Sequence, residues 1–240
     1  MKLSNGRTLD FGIYINADDI ARDLLKKKIR FQKYKIRLDY AEFIDIVRKS
    51  GLINRKFTRK RFESCIDVSD NALSINHNVA KKKNDLPYDR IAQILAYYLR
   101  NKLLLNGVKF TFETVFSHPG KIEFMKRARD KGYKVYLYFV STEHPKINVY
   151  RVKKVRVLQG GHDVDDEKIV ARYYRTMDQL YDACQCCYRT YFFDNSSDGN
   201  EENLFAYFQT VGENNRKKWN SIDPDQVPKW FIKYYSEKIS

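Results

Sequence analysis

Strand-like runs alternate with helical patterns along most of this chain, and this alternation limits the possible folds more than any other feature. The strand-like runs are residues 11–15, 108–113, 133–140 and 191–193. Such an order predicts an α/β fold with a parallel sheet flanked by helices. Right-handed crossovers place the carboxyl ends of parallel strands on one edge, where open α/β sheets bind their ligands. We therefore expect the polar residues that follow the strands to converge at that edge, namely Asp18, Glu113, Ser141 and Asp194.

The remaining segments suggest how the chain is organised. Residues 29–86 have the least regular pattern and are predicted to form a helical insertion subdomain that contains a brief strand at Ala72–Ile75. The flanking residues 1–28 and 87–197 are predicted to form the core, with a lid near 151–175. Residues 198–240 are predicted to be a C-terminal helical extension. Two helices are predicted within the core, one from about Asp165 to Cys187 and one between Pro87 and Asn106. The second has one apolar face, formed by Ile91, Ile94, Leu95, Tyr98, Leu99 and Leu103.

The formal net charge of this 240-residue chain is +15, which favours anionic partners. Charge alone does not choose among nucleotides, phosphorylated sugars, nucleic acid and an anionic membrane. No apolar run approaches the roughly 20 residues that span a bilayer, and the N-terminus lacks the apolar centre of a secretory signal. We therefore expect a cytoplasmic protein with no membrane partner. We do not expect nucleic acid as a partner either, because the 18 tyrosines mostly fall at core-facing spacings.

The cysteines are predicted to be reduced thiols. They are Cys65, Cys184, Cys186 and Cys187. The last three crowd a short stretch of predicted helix, a spacing that suits neither a disulfide framework nor a zinc site. The sequence therefore predicts no metal ligands.

Two acidic motifs follow predicted strands. Asn16 is a candidate helix cap, and Asp18 or Asp19 lies where a carboxylate can take a proton from a substrate hydroxyl. The alternative is that one aspartate caps the helix and the other is solvated. Glu113 ends an apolar strand and needs a partner if it is buried. That partner is a substrate hydroxyl, a cation or an arginine in a structural ion pair.

A basic segment and a polar turn complete the candidates. The basic residues are Arg151, Arg156, His162 and Arg172, with Gly160 and Gly161 as a hinge. Arginines on a mobile lid can stabilise the charge that spreads over a transferring phosphoryl group. The alternative is a solvated basic helix face. Asp194 and Asn195 follow the last strand, and their alternative is a simple turn.

Taken in order, these segments resemble the zeta-toxin-like P-loop kinase family. They read N-A-D-D-I-A, F-x-F-E-T, K-G-Y-K-V, R-V-x-x-x-R-V-x-x-G-G-H, R-Y and F-F-D-N-S, and they extend over nearly all of residues 11–197. The resemblance implies a P-loop-kinase-like sheet and ATP-dependent phosphorylation of a hydroxyl on a nucleotide sugar similar to UDP-N-acetylglucosamine. It also implies ATP and Mg²⁺ as cofactors and an antitoxin protein as a candidate partner.

The resemblance assigns roles residue by residue. It implies catalytic roles for Asp18 as general base and for Arg156 and Arg172. It implies substrate binding by Asp19, Glu113 and Thr114, although Val115 replaces a common second threonine. It implies nucleotide binding by Arg151, His162, Asp194 and Asn195.

The phosphate-binding loop of such a kinase is missing from the sequence. The motif G-x-x-x-x-G-K-[ST] has no match, although its lysine and hydroxyl hold the phosphates and Mg²⁺ in P-loop enzymes. Three explanations are open: a truncated form, a degenerate relative, or poor filling of the central strand by the N-terminal residues. We favour truncation, and expect the chain as given to be inactive as a kinase. The alternative function is a non-catalytic scaffold that binds a nucleotide or an antitoxin.

Overall fold

The chain divides into two units, with the boundary between Thr114 and Val115, in a computed structural model that describes residues 10–80, 87–156, 164–197, 202–212, 214 and 216–239. Both units combine helices with strands, so the predicted mixed α/β class is confirmed. Among the described residues, none of the helices has both the length and the apolar character needed to cross a membrane.

The first unit contains two small sheets and a set of helices. Its strands are β1 (Ile13–Ile15), β2 (Ile29–Arg30), β3 (Ile66–Ser69), β4 (Ala72–Ile75) and β5 (Phe110–Phe112). β1 pairs with β5 in parallel, whereas β2, β4 and β3 form an antiparallel sheet in that order. Its helices are α1 (Ala17–Lys26), α2 (Tyr40–Arg48), α3 (Arg59–Ser64), α4 (His77–Ala80) and α5 (Tyr88–Leu105).

Polar caps explain where three of these helices begin. The side chains of Asn16, Asp39 and Thr58 accept hydrogen bonds from backbone N–H groups in the first turns of α1, α2 and α3. Such a cap satisfies a donor that has no partner within the helix and stabilises it by about 1 kcal/mol. The predicted cap at Asn16 is confirmed.

The core of the first unit forms around α5. The predicted apolar face of this helix is buried at Ile91, Ile94, Leu95, Tyr98, Leu99 and Leu103. Phe31 and Phe43, from the segment predicted as an insertion, are fully buried in the same cluster. That segment therefore shares one apolar core with α1 and α5.

The segment predicted as a helical insertion also contains strands, and the brief strand predicted at Ala72–Ile75 is confirmed as β4. Residues 66–75 form a hairpin whose turn, Asp70 and Asn71, has left-handed backbone at both positions, with φ of 49° and 56°. Two left-handed residues give the turn that matches the twist of a two-residue hairpin, and Asp and Asn tolerate that conformation well. The Asp70-Asn71 turn is thus a sequence signal for the partner strand β3, which the prediction missed.

The second unit contains one mixed sheet. Its strands are β6 (Tyr136–Ser141), β7 (Arg189–Asp194), β8 (Asn203–Val211) and β9 (Arg216–Trp219). β6 and β7 are parallel, while β8 and β9 continue the sheet in antiparallel pairing. Its helices are α6 (Gly120–Asp130), α7 (Pro145–Arg151), α8 (Asp166–Asp178), α9 (Leu180–Gln185) and α10 (Lys229–Tyr234), and the π turn Val152–Arg156 continues α7.

The C-terminal segment is not the helical extension that we predicted. It contributes β8 and β9, and only its last part forms the short helix α10. The alternation in β8 shows why: Phe205, Ala206 and Phe208 are buried, whereas Leu204 and Tyr207 are exposed. A burial pattern close to a period of two is typical of a strand with one covered face.

The described strands form three sheets rather than the single parallel sheet predicted from the sequence. The parallel pairs β1–β5 and β6–β7 belong to different sheets in different units. The prediction considered only strands before Ser196, so it missed the antiparallel partner that extends β7. The single predicted helix from Asp165 to Cys187 is likewise divided, at Gln179, into α8 and α9.

Candidate functional site

The carboxyl ends of β1 and β5 form one polar edge in the first unit. Ile15 is in register with Phe112, and the backbone N–H of Glu113 donates to the carbonyl of Ile15 at 3.1 Å. Asn16 and Glu113 therefore directly follow the last residues of two neighbouring parallel strands, and those last residues are in register. This is the edge of a parallel pair at which α/β proteins bind ligands, and we call it the strand-end site.

Glu113 is fixed by two neutral donors. The hydroxyl of Tyr14 donates to its Oε2 at 2.6 Å, and Nδ2 of Asn16 donates to the same oxygen at 2.9 Å. The side chain is exposed, so it avoids the desolvation cost that we attached to a buried glutamate. Both hydrogen bonds converge on one carboxylate oxygen of this exposed side chain.

The hydrogen bond with Glu113 also affects Tyr14. Donation to this carboxylate raises the pKa of the Tyr14 phenol above its usual value of 10.0, because loss of the proton would bring two negative charges together. Tyr14 therefore remains a donor at neutral pH. Tyr14 was not among the predicted site residues, yet it lies two residues before Asn16 along extended backbone, which places the two side chains on one side.

Asn16 connects the strand end to the first turn of α1. Its Oδ1 accepts from the backbone N–H of Asp18 at 2.7 Å and from that of Asp19 at 3.4 Å, while its Nδ2 is held by Glu113. The cap therefore fixes the backbone of both candidate aspartates relative to Glu113. A carboxylate in the first turn is also stabilised by the helix dipole.

The two aspartates differ in their surroundings. Asp18 is exposed, whereas Asp19 is half-exposed and forms an ion pair with Arg22. The pair partly neutralises Asp19. Asp18 is thus the more exposed of the two carboxylates, whereas Asp19 lines the neighbouring cleft.

A cleft of about 380 Å³ lies beside the strand-end site. Its polar lining consists of Tyr14, Asn16, Asp19, Asp23, Lys33 and Tyr34. Lys33 lies 3.8 Å from Asp23, so one cation and several hydrogen-bonding groups face the same space. Such a lining suits a ligand that carries several hydroxyl groups, because each hydroxyl both donates and accepts.

Gly12, also in the cleft wall, keeps β1 close to β5. Its φ is +69°, and a Cβ at this position would lie 2.4 Å from the carbonyl oxygen of Lys109. Only glycine combines this backbone conformation with so close an approach.

In the second unit, Arg151, Asp194 and Asn195 lie around the loop that follows β7. Arg151 donates to the carbonyls of Asn195, at 2.7 Å, and Ser197, at 3.1 Å. Asp194 accepts from the indole of Trp230 at 3.0 Å and from the hydroxyl of Ser196 at 2.7 Å. These contacts stabilise the loop. They engage polar groups of Arg151, Asp194 and Asn195, the residues for which the resemblance implies nucleotide binding.

The other predicted residues are placed as follows. Arg172 is exposed on α8, and Thr114 directly follows Glu113. Arg156 ends the π turn after α7. His162, with the predicted glycine hinge, lies outside the described residues.

The described residues contain no group of three or more His, Cys, Asp or Glu side chains placed to hold a metal ion. The four cysteines are buried free thiols. Burial raises the pKa of Cys187 to about 12, so this thiol is unreactive at neutral pH.

Comparison of this chain with protein families, with curated proteins and with solved structures gives no match. The resemblance to zeta-toxin-like kinases therefore stays a prediction from sequence motifs.

Proposed function

We propose that this chain carries the substrate-binding site of a zeta-toxin-type phosphotransferase, and that the strand-end site holds the sugar of a nucleotide-sugar substrate. The main support is the carboxylate of Glu113, which Tyr14 and Asn16 hold at the edge of the parallel pair. A fixed, accessible carboxylate oxygen is a strong acceptor for a sugar hydroxyl, since hydrogen bonds to charged groups contribute about 1.5–3 kcal/mol.

Asp18 has the second role in this proposal. It lies in the first turn of α1, two residues after the cap Asn16, and it is exposed. A carboxylate within reach of the reacting hydroxyl accepts its proton as the oxygen attacks phosphorus. Glu113 then binds and orients the sugar, while Asp18 accepts the proton.

The residues that would hold ATP and Mg²⁺ do not fit these groups. The sequence has no G-x-x-x-x-G-K-[ST] motif, and the described residues offer no metal-binding cluster. In the second unit, Arg151 of α7 and Asp194 of β7 form hydrogen bonds with the loop that follows β7. We therefore derive no step through the phosphate donor, and the mechanism extends only to substrate binding and proton acceptance.

Calorimetric titration of the full chain with UDP-N-acetylglucosamine tests this proposal. We expect Glu113→Gln to weaken binding roughly tenfold or more, because a neutral amide replaces the charged acceptor. Asp18→Asn should change the affinity much less, since its role is in proton transfer. Asp45→Asn is the matched control, because Asp45 is an exposed carboxylate on α2 that pairs with Lys49. Equal affinities for wild type and Glu113→Gln would reject the strand-end site as the sugar site.

A non-catalytic binding protein is the second candidate function, and the missing phosphate-binding motif favours it. An assay of ATP consumption with UDP-N-acetylglucosamine separates the two. Turnover that Asp18→Asn abolishes would support the kinase, whereas sugar-nucleotide binding without turnover would support the scaffold.

A further inference from the structure

The sheet of the second unit has one covered face and one open face. Successive side chains on each strand point to opposite faces, and Phe139, Phe192 and Phe208 point to the covered face, where they are buried in the core. The same alternation leaves tyrosines on the opposite side, where Tyr138 is 38% and Tyr207 is 37% exposed. We call this opposite side the tyrosine face.

Strand register arranges the tyrosine face into three rows. The middle row is Tyr138, Tyr191 and Tyr207, one from each of three adjacent strands. The row on one side is Tyr136, Arg189, Gln209 and Lys218. The row on the other side is Val140, Phe193 and Leu204. None of the residues in these rows is acidic.

The middle row is a continuous aromatic stack. The rings of Tyr138 and Tyr191 have centroids 4.9 Å apart and planes within 9°, and Tyr207 follows at 5.7 Å with a tilt of 34°. A flat base can extend such a stack from its exposed rings. Each base stacked on an aromatic side chain is held with little dependence on its identity, because every base has a π-face.

The row beside the tyrosines supplies positive charge. Arg189 donates to the hydroxyl of Tyr191 at 3.1 Å and to Gln209, so it is held against the stack. Its Nε is buried and has no partner among the described residues. Lys218 is exposed at the end of this row. Basic groups along one side of an aromatic row suit a chain of phosphates that runs next to stacked bases.

The tyrosines divide between the cores and the surface. All 18 lie in the described residues; four are buried, and Tyr88, Tyr97, Tyr181 and Tyr234 pack partly buried against a core. The tyrosines on the open face lie outside these cores, so core packing gives no reason to set nucleic acid aside at this face. A second copy of this chain fits the face less well than nucleic acid does, because two chains of formal charge +15 repel each other.

We propose that the tyrosine face binds single-stranded nucleic acid, with bases stacked on the tyrosine row and phosphates alongside Arg189 and Lys218. The site lies within the second unit and uses none of the residues of the strand-end site.

Fluorescence anisotropy with a labelled oligothymidylate of about 12 nucleotides tests this proposal. An oligouridylate and a DNA duplex of the same length are measured in parallel. We expect both single strands to bind more tightly than the duplex. Tyr138→Ala and Tyr207→Ala should each weaken single-strand binding roughly fivefold or more. Tyr138→Phe and Tyr207→Phe keep the aromatic ring and should therefore bind single strands as wild type does.

Matched variants separate stacking from general charge and from misfolding. Tyr150→Ala removes an exposed tyrosine from α7, away from the sheet, and should bind as wild type does. Lys218→Ala should lower the slope of log affinity against log salt by about one. Glu113→Gln should leave oligonucleotide affinity unchanged. A negative result for the strand-end site can therefore be distinguished from a negative result for the tyrosine face. Far-UV circular dichroism confirms that each variant is folded.

Three results would overturn the proposal. Alanine variants that remain folded and bind as tightly as wild type would exclude stacking on the tyrosine row. Equal binding of duplex and single strand, lost at moderate salt, would leave only non-specific attraction. Sedimentation that shows a dimer abolished by Tyr207→Ala, without oligonucleotide binding, would make the face a self-association surface.

Discussion

At the scale of single residues, Asn16 has two functions through the two atoms of its amide. Its Oδ1 caps α1, and its Nδ2 holds Glu113 at 2.9 Å. A change that keeps one function and removes the other therefore separates stability from binding.

We expect Asn16→Ala to lower the free energy of unfolding by about 1–2 kcal/mol, because the cap and the bond to Glu113 are both lost. Asn16→Ser retains a capping oxygen and should recover most of that stability. It should not restore sugar-nucleotide affinity, since serine cannot reach Glu113 in the same way. Urea unfolding and calorimetry give the two readouts. Full recovery of affinity in Asn16→Ser would show that the Asn16–Glu113 bond is unimportant.

Asp194 is a second residue whose role can be decided experimentally. The resemblance assigns it to a nucleotide, but its contacts are with Trp230 and Ser196. We expect Asp194→Ala to destabilise the second unit by about 1–3 kcal/mol, because the indole and the hydroxyl lose their acceptor. Arg172→Ala, at an exposed position on α8, should change stability by less than about 0.5 kcal/mol. Denaturant unfolding compares the two, and an Asp194→Ala variant of wild-type stability would return Asp194 to the list of binding residues.

At the scale of elements, the core helix α5 buries a tyrosine, Tyr98, whose hydroxyl group is not satisfied within the described part of the chain. Tyr98 on this helix is fully buried between Phe31 and Phe43, with edge contacts at 5.7 and 4.9 Å. Its hydroxyl is buried without a hydrogen-bond partner among the described residues. A buried hydroxyl of this kind pays a desolvation cost that no bond offsets.

We therefore expect Tyr98→Phe to keep the fold and to stabilise the first unit by about 1 kcal/mol. Tyr98→Leu keeps an apolar side chain but loses the aromatic edge contacts, and it should be destabilising. Thermal unfolding followed by circular dichroism measures both. A loss of stability in Tyr98→Phe would mean that the hydroxyl has a bonding partner in solution.

The success of the sequence analysis differed between elements for physical reasons. The helix over residues 88–105 was predicted because its apolar spacing is long and regular. The cap at Asn16 was predicted because its signal is local. The strands β8 and β9 were missed because their pairing with β7 is a tertiary contact, and short aromatic runs do not distinguish strand from helix. Tyr14 was missed because its bond joins residues 99 positions apart.

At the scale of the whole molecule, each unit has its own apolar core. One cluster around α5 lies within residues up to Phe112, and the aromatic cluster around Phe192 and Trp230 lies entirely after Val115. Separate cores predict separate unfolding, because a cavity in one core removes no contact from the other.

The two tryptophans make this prediction measurable. Trp219 and Trp230 both belong to the second unit, so tryptophan fluorescence reports on that unit alone, whereas far-UV circular dichroism reports on both. Phe43→Ala should remove about 3–5 kcal/mol from the core of the first unit. We expect the dichroism to show an earlier transition while the fluorescence midpoint stays where it is. Phe192→Ala, the reciprocal control, should move the fluorescence midpoint. If Phe43→Ala moved the fluorescence midpoint as far as the dichroism, the two units would unfold as one cooperative body, and mutational effects at the strand-end site and the tyrosine face could no longer be treated as independent.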